Sequence, residues 1–109
     1  MDMQTALAQF GVQEDTLSTE EKAFLDQNGY LPLPNLLSPQ QVQAIATRLE
    51  QLAAAEGDQA GLEAHQEAGT TRLANLADKD PLLEICFTHP RVLAAIAHVL
   101  KSDFKLSSL

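Results

Sequence analysis

Residues 25–37 read Leu-Asp-Gln-Asn-Gly-Tyr-Leu-Pro-Leu-Pro-Asn-Leu-Leu, and Ser38-Pro39-Gln40-Gln41 follows them. Asn28-Gly29 is a helix stop, because glycine takes the left-handed C-cap conformation without a Cβ clash. Tyr30-Leu31-Pro32-Leu33-Pro34 must then be extended. Its two prolines remove two amide donors, which restricts it to an edge strand or a strand end. Ser38 opens a new helix with Pro39 at the first position, where a missing N–H costs nothing. Gln41 completes a Ser-x-x-Gln capping box, and Leu37 and Val42 are placed for a hydrophobic staple. The stretch therefore predicts helix, stop, short strand, turn and capped helix.

Upstream, Ser18-Thr19-Glu20-Glu21 fits a second capping box, so a helix is expected over residues 18–28. Residues 1–17 hold only a weak helical pattern, Leu7 and Phe10 before Gly11, and are expected to form an N-terminal arm. Downstream, Val42, Ile45, Leu49 and Leu52 mark one buried stripe of a helix ending near Glu56, with Gly57 as its C-terminal residue. Residues 57–69 are polar, with Gly57, Gly61 and Gly69, and Leu62 as the one large apolar side chain. They read as a loop with room for one helical turn. Residues 70–76 read as extended or irregular. Asp80 and Pro81 open a short helix to about Phe87, and His89-Pro90 opens the last one. Val92, Leu93, Ile96, Val99 and Leu100 give that helix a broad apolar face. Phe104-Lys105-Leu106-Ser107 alternates like a strand. Such a strand needs a partner, because unpaired edge amides and carbonyls invite association.

The chain has 109 residues, 45% of them hydrophobic and 5% aromatic. The apolar content is largely Leu and Ala, which favours helix. Acids outnumber bases 15 to 7, for a formal charge of −8. Nucleic-acid binding draws its affinity from Lys and Arg, so that class is excluded. No apolar run approaches the ~20 residues of a membrane span, and the first ten residues lack the basic region of a signal peptide. A cytoplasmic setting is expected. Cys86, the single cysteine, cannot form an internal disulfide and is expected to be a buried, inert thiol.

The candidate chemistry is sparse. His65 falls in the polar loop and is expected in solvent. His89 precedes Pro90, where a capping or turn role fits. His98 is expected on the flank of the last helix, with no strong ligand at the helical spacings around it. A two-His, one-carboxylate set for non-haem iron would have to come from scattered residues. Asp78-Lys79-Asp80 resembles the start of a calcium loop, but Leu83 and His89 stand at positions six and twelve, where Gly and Glu are required. Cys86 and His89 straddle a helix break, which disfavours them as nucleophile and base. Arg72 is the one cation held open as an anion or substrate contact, against a salt bridge to Asp78 or Glu67. A small enzyme built on Arg72 and nearby acids is the weakest of the functional readings.

Taken in order, the helix before Asn28-Gly29-Tyr30, the LPLPNLLSPQQV segment, TRLANLADKDPLLE and THPRVLAAIAHVLKSDFKLSS resemble the N-terminal portion of the phytanoyl-CoA dioxygenase family. The similarity runs from about Ser18 to Ser108. Lys101 stands where the resemblance implies glycine. In the complete domain the family implies a double-stranded β-helix, or jelly-roll, in which two His and one Asp bind iron(II). The metal and a basic residue hold 2-oxoglutarate. The His-x-Asp pair of that site does not occur in this sequence, so no catalytic, cofactor-binding or metal residue is carried over.

The expectation is therefore a mainly helical α+β module with two or three short strands. Residues 1–17 would be an arm, and residues 18–109 the N-terminal part of a phytanoyl-CoA dioxygenase-like domain whose barrel core lies elsewhere. It would support the barrel and wall the substrate pocket while itself lacking the iron ligands. Its partner would be the remainder of the barrel, or a second copy through strand edges. The rival expectation is a standalone helical interaction module.

Overall fold

The computed structural model describes residues 1–59, 70 and 72–109. The chain divides into two compact units. The first comprises Met1–Pro34 and Ile85–Leu106, the second Asn35–Glu84 and Ser107–Leu109.

The first unit contains α1 (Met3–Gln9), α2 (Thr19–Asn28), the single turn α4 (Ile85–Thr88) and α5 (Pro90–Leu100). Asp2 caps α1 by accepting from the Thr5 amide at 2.7 Å. The capping box of α2 forms as its sequence dictates. The Ser18 hydroxyl accepts from the Glu21 amide at 3.0 Å, and Glu21 accepts from the Ser18 amide at 2.9 Å. Gly29 ends α2 at φ 78°, its amide donating to the Leu25 carbonyl. His89 caps α5, with Nδ1 accepting from the Arg91 amide at 3.2 Å. Leu17, Leu25, Leu93 and Ala94 are this unit's buried apolar residues. Leu17 is only 2% exposed, so burial of a side chain outside any helix contributes about 1.5–3 kcal/mol. The Lys22 ammonium donates to the Glu14 carbonyl at 2.7 Å, which fixes the segment before α2.

The second unit is organised by α3 (Pro39–Glu56). Its Ser38–Gln41 capping box is present in both directions, and Gly57 closes it with positive φ. A 3-10 turn follows at Gly57–Gln59, the helical turn for which the polar segment had room. The remainder of that expected loop, with Gly61, Leu62, His65, Glu67 and Gly69, lies outside the described residues. Residues 72–75 are irregular and lead into two 3-10 turns, Leu76–Asp78 and Pro81–Glu84. Among the described residues, Leu52 and Leu83 are the buried apolar residues of this unit. The Leu76 amide donates to the Leu109 carbonyl at 3.1 Å, holding residues 107–109 in the same unit.

Three expectations are corrected. The α+β expectation fails in its β part: among the described residues no strand forms. Residues 30–33 and 104–107 belong to no helix or strand. Alternation and extended backbone are only half of a strand, and the other half is a neighbour that supplies donors and acceptors. The expected stripe of α3 is also shortened. Leu52 is buried and Ile45 and Leu49 half-buried, but Val42 is 53% exposed. Helical periodicity says which residues share a face, not how far along the axis the covering neighbour extends. Cys86 is exposed rather than buried. Its apolar surroundings in sequence do not all fall on the face that the single turn of α4 turns inward.

Candidate functional site

The first unit presents an apolar concavity. Leu25 of α2, Leu31 just beyond α2, and Ala95, Ile96, Val99 and Leu100 of α5 line an open cleft of about 350 Å³. The walls are apolar because α5 repeats its apolar residues at helical spacing. Val99 and Leu100 are more than half exposed. Phe24 and Tyr30, in edge-to-face contact at 5.5 Å between ring centroids, are exposed nearby in sequence. Edge-to-face stacking sets the positive ring edge against a negative face.

Two polar contacts lock α2 to α5. The Asp26 carboxylate lies 2.7 Å from His98 Nε2. Arg91 pairs with Glu21, and its second terminal nitrogen donates to the Thr16 carbonyl at 3.4 Å. Glu21 thus serves twice, one oxygen capping α2 and the other meeting Arg91. The Ser18 amide foremost holds the Glu21 carboxyl below the usual carboxylate range; burial opposes it, and the pairing with Arg91 adds to the lowering.

In the second unit Arg48 Nε meets Asp80 at 2.5 Å, and Lys79 Nζ meets Glu56 at 3.0 Å. The Leu82 amide donates to Asp80 Oδ1 at 2.8 Å. That bond foremost, and then Arg48, hold the Asp80 carboxyl below its ordinary value. Asp80 is therefore a cap and an ion-pair partner. A second cleft of about 490 Å³, lined by Leu49, Glu50, Ala53, Leu73 and Leu76, lies along α3.

The structure scatters the candidates rather than gathering them. His89 is committed to its cap and His98 to Asp26. His65 lies outside the described residues. Arg72 is half-buried in the irregular segment before Leu76 and is engaged by a neighbour rather than free. Among the described residues no three His, Cys, Asp or Glu side chains are placed to hold a metal. They do not fit an iron(II) site of two histidines and a carboxylate. Sequence reasoning missed Asp26–His98 and Glu21–Arg91. These pairs are 72 and 70 residues apart, and no local period links such positions. The only sequence signal was the placement of all four on polar flanks of amphipathic helices.

Among the described residues no single helix is long and apolar enough to cross a membrane. The family model of phytanoyl-CoA dioxygenase matches residues 25–107. The chain belongs to the phytanoyl-CoA dioxygenase family. The match begins in α2 and takes in α3, α5 and the residues beyond α5 up to 107. It includes all six residues that line the apolar cleft of the first unit. Comparison with curated proteins gives no match, and neither does comparison with solved structures. For a phytanoyl-CoA dioxygenase family member, the described residues are a helical part with capped termini and an apolar face.

Proposed function

We propose that this chain is the N-terminal helical layer of an iron(II)- and 2-oxoglutarate-dependent hydroxylase with a jelly-roll core. The observation that carries the reading is the family match over residues 25–107. In the complete domain iron(II) and 2-oxoglutarate would supply the oxidising chemistry for C–H hydroxylation. The described residues do not fit that site, and no step of the reaction is assigned to them. Their contribution is support. Phe24, Tyr30, Val99, Leu100 and Leu106 are exposed, and apolar surface of this kind gains when another surface excludes water from it. The segments at 30–33 and 104–107 would gain ladder partners in the same step. The partner is the remainder of the barrel, and in its absence a second copy. A cytoplasmic setting belongs to the same reading.

The test is succinate formation with iron(II), ascorbate and 2-oxoglutarate. The chain as given should release none above background. A polypeptide extended in frame from the same gene should carry a His-x-Asp pair and release succinate. Turnover by the chain as given would overturn the supporting role. An in-frame extension without His-x-Asp would overturn the hydroxylase reading and favour a standalone interaction module.

A further inference from the structure

We draw no further inference here: the strongest candidate, the apolar cleft of the first unit between Leu25, Leu31 and the exposed end of α5 at Val99 and Leu100, belongs to the surface already proposed as supporting, and nothing in the structure shows what covers it.

Discussion

Lys101 closes α5 at φ 56° and ψ 20°, the left-handed conformation, and its amide donates to the Ala97 carbonyl. For an L-residue this conformation costs about 1–2 kcal/mol, which is why glycine is the usual occupant of such caps. The resemblance to the family implies glycine at this position, and the backbone adopts the glycine conformation with a lysine in it. The turn geometry survives the substitution, at an energetic cost. Lys101→Gly should therefore stabilise the fold, by about 1 kcal/mol once the larger chain entropy of glycine is offset. Urea unfolding would read this as a higher midpoint at unchanged slope. A lower midpoint would show that the lysine side chain makes a compensating contact. Cys86 gives a second prediction at this scale. An exposed thiol reacts without unfolding, so Ellman's reagent should titrate one thiol in buffer at the rate of an unstructured cysteine peptide, within about tenfold. Reaction only in denaturant would place Cys86 inside.

The two capping boxes differ by one atom in their third-position residue. α2 uses Glu21 and α3 uses Gln41, and both return a side-chain oxygen to the capping serine's amide. Glutamine thus suffices for capping, so Glu21→Gln removes the charge that meets Arg91 and leaves the cap an acceptor. This substitution should weaken the α2–α5 pairing in an Arg91-dependent manner. In a double-mutant cycle with Arg91→Met the loss should not be additive. Full additivity would mean that the ion pair contributes nothing. Ser38→Ala removes one half of the α3 box and should cost about 1 kcal/mol. Leu17 has no helix to hold it and is buried by tertiary packing alone. Leu17→Ala should cost about 2–5 kcal/mol, measured by the same unfolding titration. A loss below ~1 kcal/mol would show that residues 12–17 detach without consequence.

Across the whole molecule the acid response follows from Glu21 in the first unit and Asp80 in the second. Both carboxyls titrate below their ordinary values in the folded chain. A depressed folded value means that the unfolded chain binds protons more readily. The stabilisation is therefore fully present above the unfolded values of about 4.3 for Glu and 3.9 for Asp. It is lost as pH falls through the folded values. Thermal unfolding should be insensitive to these two groups between about pH 7 and 5 and should weaken below about pH 4. The Glu21→Gln variant should lose part of that acid sensitivity. An acid profile identical to that of the parent chain would remove Glu21 as a source. Both α2 and the turn after Asp80 depend on a carboxylate that caps and pairs at once, so acid acts on each unit.

The sequence by itself determined α2, α3 and α5 and their caps, whereas α1 was only a weak pattern and the expected helix after Asp80 is a 3-10 turn followed by a single α turn. Ser18, Ser38, Asp80 and His89 cap where their chemistry requires, Gly29 and Gly57 stop where a left-handed or open conformation is needed, and Pro39 and Pro90 sit in first turns. These features are local: a side chain satisfies an amide two or three residues away, and neighbouring residues suffice to read it. The family was legible for a related reason, since the order of such local signals is itself a pattern. Only the tertiary structure decided that residues 30–33 and 104–107 form no ladder among the described residues, that Val42 and Cys86 are exposed, and that Asp26 meets His98. Each of these depends on what lies across space rather than along the chain. A strand is completed by its neighbour, burial by its cover, and a side-chain hydrogen bond by a partner some seventy residues away.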